Sequence, residues 1–290
     1  MKRTYLLATA ALAATMALSS CAEDNGNVWT DEDVVTRGVE DVTDGYSMLD
    51  NGLFSLAYPK DLELVYSTEK EGIVENKIVG EDILVETTII PFDMVLDKMM
   101  ELLVQEELSE YESLVKSSVT IDGIKGLAYS FEEKGMTCKM YWFRNGNRTI
   151  GFIVGQDAGC QTEFSLEESL RWKAGSDSKS DWLSEAKRLA DFITGLKQDE
   201  GYRQSYLKVV PEESLFIISY DYERDDESME REEAKDRLNK MVNTIQAMKG
   251  CAEHGYTFVI KGSDAEGTTL FSHQFTPDNY QIDNGVVLVD

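Results

Sequence analysis

The densest run of side chains able to do chemistry is Asp221, Glu223, Asp225, Asp226 and Glu227, continued by Glu230, Glu232 and Glu233. Oxygen donors this close in sequence can hold calcium, so Asp221, Glu223, Asp225 and Asp226 are candidate metal ligands. The run lacks the glycine that the turn of an EF-hand loop needs. The competing reading, which we favour, is a helix start: acids in a first turn complement the macrodipole, and Arg231, Lys235 and Arg237 partly offset them. A second candidate is Arg171-Trp172-Lys173, ahead of a Ser/Asp-rich stretch. An indole flanked by cations in a loop can stack on a sugar ring or anchor a partner. The competing reading, which we favour, is that Trp172 and Trp182 fill the edge of a core.

Nucleophilic and general-base chemistry is poorly supplied. There is no GxSxG elbow and no HExxH helix, and the chain has only two histidines, His254 and His273. Ser272 and His273 are adjacent on a strand pattern, so they point to opposite faces. Cys251 and His254 lie three apart without further ligands nearby. Gly175 to Ser180 lacks the glycine spacing of a phosphate loop. Nothing points to a cofactor, and none is expected. Carboxylate pairs of the glycosidase kind remain open, because 54 acidic residues supply many pairs.

The 290 residues carry a formal charge of −26, with a sequence pI near 4.4. Nucleic acid is therefore excluded as an expected partner, since phosphate neutralisation needs clustered Lys and Arg. A hydrophobic fraction of 42% supports real cores. The length suggests two domains.

Lys2 and Arg3 precede an uncharged, mostly apolar run from Tyr5 to Leu18, too short for a membrane span. It ends Leu18-Ser19-Ser20-Cys21, which resembles a bacterial lipobox. The resemblance covers residues 1 to 21. It implies a signal peptide over 1–20, removal of that segment, and fatty acyl chains (palmitate among them) on Cys21 as the membrane anchor. Several acyl chains hold a protein firmly where one does not. Ala22 stands where an Asp would favour retention in the inner membrane, so the expected place is the cell outer membrane, on its periplasmic face or at the cell surface. An acidic body is repelled by anionic lipid, which leaves the anchoring to the acyl chains.

Three further cysteines remain, Cys138, Cys160 and Cys251. A Cys138–Cys160 bridge is conceivable in an oxidising compartment. We favour three free thiols behaving as small hydrophobes.

Residues 21–44 read as a lipidated, polar and acidic tether of about 27 Å. Over 45–197, strand patterns occur around Phe54–Tyr58, Leu62–Tyr66, Ile73–Ile78 and Ile83–Ile90, and Pro91 then opens a helix with an apolar face of Phe92, Val95, Leu96, Met99, Met100, Leu102 and Leu103. Strands return at Val115–Ile121, Leu127–Phe131, Thr137–Phe143 and Thr149–Val154. The last two are joined through Asn145-Gly146, a strong hairpin signal. Ser180-Asp181 can cap a helix from Trp182 to Leu196. Residues 198–213, with Gly201 and Pro211, read as a linker. A small C-terminal βαββ unit over 214–290 follows: a strand to Tyr222, one helix over 226–249, strands Tyr256–Ile260 and Thr268–Phe275, and an edge strand Val286–Val289.

The fold class is thus α+β, a largely antiparallel sheet with flanking helices plus the small C-terminal unit. The first region resembles the PsbP-like α/β/α sandwich family, which includes bacterial lipoproteins. The resemblance rests on Gly52-Leu53-Phe54-Ser55-Leu56-Ala57-Tyr58-Pro59, the helix after Pro91, the Asp122-Gly123 turn and the Trp182–Leu196 helix. It spans about half the chain and implies a non-catalytic accessory or binding module, with no functional residue carried over. The expected function is a lipid-anchored cell-envelope accessory or binding protein of a Gram-negative bacterium, without catalysis of its own. Its expected partners are the membrane, through the lipid, and an envelope protein or glycan. The alternatives are a carboxylate-dependent hydrolase of envelope or extracellular polymers and a calcium-dependent interaction module.

Overall fold

The structure is a computed structural model and describes residues 39–43, 45–70, 73–106, 108, 111, 113–133, 135–160, 164–173, 181–195, 205–221, 229–264, 266–283 and 285–290. These residues divide into two units between Lys179 and Ser180. The fold is α+β, with sheets that are antiparallel at all but one pairing.

The first unit opens with β1 (Val39–Thr43), β2 (Tyr46–Asp50) and β3 (Phe54–Pro59), followed by β4 (Glu63–Lys70), β5 (Ile73–Val79) and β6 (Ile83–Ile90). After α1 (Leu96–Glu106) come β7 (Val115–Ile121), β8 (Ile124–Glu133), β9 (Met136–Asn145) and β10 (Arg148–Asp157). A single turn, α2 (Leu166–Ser169), and β11 (Leu170–Trp172) complete it. The strands form a seven-stranded sheet ordered β4-β5-β6-β10-β9-β8-β7 and a four-stranded sheet ordered β1-β2-β3-β11.

Tight turns set the meanders. Asp122 and Gly123 both have positive φ (46° and 80°), the type I′ pattern that matches strand twist. The hairpin expected at Asn145-Gly146 forms, but its two loop residues are Gly146 and Asn147. Asn145 is the last strand residue, paired with Arg148. Gly146 supplies the positive φ of 63° that the first loop position of a type II′ turn requires.

Strand β6 is buried at every position from Ile83 to Ile90, as suits a strand with both faces covered. One face carries Val85 and Ile89, which join Phe143, Phe152 and Val154 in a core shared with Leu49, Phe54, Leu56 and Leu170 of the smaller sheet. A polar row crosses three strands: the Ser67 hydroxyl donates to Asn76 Oδ1 (2.8 Å), and Asn76 Nδ2 donates to Thr87 Oγ1 (2.8 Å). All three residues are buried, so each must find its partner within the protein.

Pro91 does not open the helix; α1 begins at Leu96. The intervening stretch is held to the sheet by Thr149, whose hydroxyl donates to Phe92 O (3.1 Å) and accepts from Met94 N (2.9 Å). Those backbone groups are satisfied outside a helix, which delays its start. The side chains of Met99, Met100 and Leu103 are buried, as the helical spacing implies.

The second unit begins with α3 (Trp182–Gly195), capped by Asp181, whose Oδ1 accepts from the backbone of Leu183 and Ser184, each at 3.0 Å. Then come β12 (Ser205–Val210), β13 (Leu215–Asp221), α4 (Arg231–Thr244), α5 (Gln246–Glu253), β14 (Thr257–Ser263) and β15 (Thr269–Phe275). The hairpin β16 (Tyr280–Asp283) and β17 (Val286–Val289) ends the chain. The sheet order is β12-β13-β14-β15, with β13 and β14 parallel across the two helices.

Five boundaries differ from the sequence reading. Helix α3, expected to close the first region, packs on β12 and α5 in the second unit. Its buried Ala186, Leu189, Ala190 and Ile193 form an apolar face that suits either unit. The segment read as a linker contains β12, paired with β13 from Ser205↔Tyr220 to Val210↔Leu215. The helix read over 226–249 is two, broken at Ile245, whose backbone is extended (φ −103°, ψ 112°). Part of the expected tether, Val39–Thr43, is β1 paired with β2. The expected edge strand Val286–Val289 pairs with Tyr280–Asp283 and with no strand of the main sheet among the described residues.

Candidate functional site

Arg171 and Trp172 lie on strand β11, antiparallel to β3 with Leu170↔Leu56, Arg171↔Ser55 and Trp172↔Phe54, and Lys173 follows its last residue. Alternation along a strand sends neighbours to opposite faces, so the three do not act together. Trp172 turns inward. Its ring stands edge to face with Phe143 (5.1 Å, 66°), Phe54 (6.1 Å, 82°) and Phe152 (6.2 Å, 72°). Lys173 donates to the Asp50 carboxylate, and this hydrogen bond holds the Asp50 carboxyl below its ordinary range. Arg171 is exposed and donates from Nη1 to the carbonyl of Leu170 at 2.7 Å. Of the three, it alone presents its charge to solvent without an ion partner among the described residues.

Four residues before Arg171 lies a polar constellation, centred on Glu167, that no local pattern announces. Glu167 Oε1 accepts from Lys139 Nζ (2.7 Å) and from the Tyr141 hydroxyl (3.0 Å), while Oε2 accepts from Ser165 Oγ (3.2 Å). Lys139 Nζ also sits 4.9 Å from the centre of the Tyr141 ring. Burial pulls the Glu167 carboxyl upward. Hydrogen bonds from Lys139, its own backbone and Tyr141, with the Lys139 charge, outweigh it and leave the carboxyl below its ordinary value. Burial, then the Glu167 charge, pushes the Tyr141 phenol well above its usual range. The group is an ionised carboxylate holding a neutral phenol, so it suits a fixed electrostatic contact better than proton transfer. Lys139 and Tyr141 lie on β9 and Glu167 on α2. The partners are separated by 26 and 28 residues, so no local motif marks them.

A small pocket opens on the other face of the seven-stranded sheet, lined by Leu84, Glu86, Phe131, Glu133, Met136, Cys138, Ile153 and Gly155. Glu86 is paired with Lys77, directly opposite on β5, at 2.8 Å. Glu86 is on β6 and Glu133 on β8, with β10 and β9 between them. Three strand spacings put those strand axes about 14 Å apart. Glycosidase pairs need a separation of roughly 5–10 Å.

Of the acidic run, Asp221 ends β13, while Glu223, Asp225 and Asp226 lie outside the described residues. Among the described residues, no three His, Cys, Asp or Glu side chains are grouped to hold a metal ion. Cys138, Cys160 and Cys251 carry free thiols. Burial pushes the Cys251 thiol up to about 12, which removes its nucleophilicity at neutral pH. His254 stacks on Trp182 (4.1 Å, 19°) and bonds through Nδ1 to Gly250 O (2.8 Å). His273 bonds through Nε2 to Met229 O (2.6 Å). Cys21 lies outside the described residues. No described helix is long and apolar enough to cross a membrane.

No protein-family model and no curated protein sequence matches the chain. Among solved structures, it is similar to the solution structure of cyanobacterial PsbP (CyanoP) from Synechocystis sp. PCC 6803, at 10% identity and a TM-score of 0.33, covering 44% of this chain and 93% of that one. It is also similar to a crystal structure from Bacteroides thetaiotaomicron VPI-5482, at 16% identity and a TM-score of 0.28, covering 51% of this chain and 60% of that one. Both are weak fold resemblances at low identity.

Proposed function

We propose that the chain is a lipid-anchored protein of the cell envelope that works by binding, as an accessory to an envelope protein or glycan, and does no chemistry of its own. In this reading Cys21 carries the acyl chains, the outer membrane is the host bilayer, and the first unit is a PsbP-like module. The observation that carries the non-catalytic part is electrostatic. Glu167, the acid of the part-buried constellation, has both oxygens taken up by Lys139, the Tyr141 hydroxyl and Ser165, which fits a fixed electrostatic contact better than a proton donor. The spacing of Glu86 and Glu133 across four strands supports the same reading over the hydrolase.

The test is acyl labelling with fractionation. The native protein should incorporate labelled palmitate and sediment with the envelope, and a Cys21→Ala form should do neither. A Cys21→Ala form that stays wholly with the envelope would overturn the anchor. Crosslinking of the anchored protein, with mass spectrometry of what it holds, then identifies the partner. Cleavage of an envelope polymer that is lost in Glu133→Gln would instead establish the hydrolase.

A further inference from the structure

Helix α4 carries Asn239 and Asn243 one turn apart, although asparagine is a poor residue for a helix interior. Both side chains face the C-terminal strand β17. Asn243 Oδ1 accepts from Val287 N (2.8 Å) while its Nδ2 donates to Val287 O (2.7 Å). Asn239 Oδ1 accepts from Val289 N (2.8 Å) while its Nδ2 donates to Val289 O (3.4 Å). Each amide thus engages the donor and the acceptor of one residue, as a neighbouring strand would.

The periods explain the fit. Four helical residues advance about 6 Å, and two strand residues advance about 6.6 Å. Side chains at i and i+4 therefore meet alternate residues of an extended chain over two contacts. Asn243 is further steadied by donating to Asn239 O at 2.8 Å. Recognition runs through the backbone of the strand. Side-chain selectivity comes only from Val287 and Val289, which are 0% and 5% exposed, whereas Leu288 between them is 51% exposed.

The occupant of this clip is held by little else in the way of strand pairing. Hairpin β16–β17 joins no other described sheet. It is linked to β15 through a short turn at Pro277–Asn279, closed by a Thr276–Asn279 capping box. Its outer surface shows Leu288 and Ile282, the latter 44% exposed. We propose that the Asn239–Asn243 face of α4 is a strand-binding site, filled in cis by Val286–Val289, and that β17 of a second copy fills it in trans when the hairpins exchange. The occupant follows from what is seated there: a second copy brings the same alternating valines and the same backbone groups. Hairpin exchange at one short hinge is a low-cost route to a two-fold dimer.

The test uses the full chain with Val287→Pro and Val289→Pro, which remove the two donors to the asparagines, and a fluorescent peptide of residues 280–290. Peptide anisotropy should rise saturably on adding this variant, and affinity should fall at least tenfold when Asn239→Ala and Asn243→Ala are added. Equal binding with and without the asparagines, or no binding, overturns the site. Should the proline variant not fold, the native chain takes its place with excess unlabelled peptide, which must displace β17 and so quicken hydrogen exchange at the Val287 amide; an unchanged rate overturns the site. For exchange between copies, native protein refolded at rising concentration should yield dimers that free peptide suppresses. Dimers that form equally with Asn239→Ala and Asn243→Ala, or their absence, overturn the second copy as occupant.

Discussion

Trp172 stands edge to face against Phe143, ring centroids 5.1 Å apart, and this contact makes it part of the wall of the first core. The strand that carries it follows the single turn that holds Glu167 and precedes Lys173. One short segment is therefore pinned at three points: Glu167 to Lys139 and Tyr141, Trp172 to the aromatic cluster, and Lys173 to Asp50.

Trp172→Ala should lower the stability of the first unit by about 3 kcal/mol, because a large ring leaves a cavity among rings that cannot close over it. Urea unfolding followed by circular dichroism measures the change. Added sugars should leave the tryptophan fluorescence of the native protein unaltered; a saturable change would restore the stacking role.

Glu167→Gln should cost about 1 kcal/mol at neutral pH, a modest figure because the Lys139 pair is about one-third exposed. The folded carboxyl is held below its unfolded value, so its contribution is full above the ordinary carboxylate range and is lost as pH falls through the folded value. Melting temperatures of native and variant protein should differ at pH 7 and converge at strongly acid pH. A gap that persists at acid pH contradicts the ion pair.

Gly126→Ala should destabilise by about 2 kcal/mol or more. The added carbon would lie 2.5 Å from Phe143 Cδ1 and 2.5 Å from Trp142 O, and the latter is backbone that cannot swing away. A fall in thermal midpoint with retained β-sheet circular dichroism is the expected result.

Asn243→Ala should cost about 1–2 kcal/mol, since it strips partners from both backbone groups of Val287. Hydrogen exchange at the Val287 amide should quicken while the amides of β13 and β14 keep their protection. An unchanged Val287 rate would show that the clip is idle.

Much of the strand layout is readable from local pattern, because Ile83–Ile90, the Asp122-Gly123 turn and the Asn145–Arg148 hairpin depend on neighbours in sequence. Strand β12 escaped because Gly201 and Pro211 bracket it and its pattern is short, while its partner β13 supplies the pairing that makes it a strand. The break at Ile245 has no glycine or proline to announce it. Helix α3 has an apolar stripe, and periodicity says that such a stripe is buried but not against what. The Glu167 constellation was hidden for the same reason: charge alone does not say which of many acids meets which lysine. For Trp172 the core-edge reading is the one the structure bears out: the ring packs against the first core.

The order of strands in the large sheet has a kinetic consequence. β4-β5-β6 and β7-β8-β9-β10 are two meanders, each built from neighbours in sequence, and a single antiparallel seam, Thr149↔Ile90 through Gln156↔Ile83, welds them. Each meander can zip locally, but the weld must wait for a long loop to close. The β6–β10 seam is therefore expected to form more slowly than either meander zips. Until it sets, both halves carry unpaired flanks, at the stage when a folding chain is most open to misassembly.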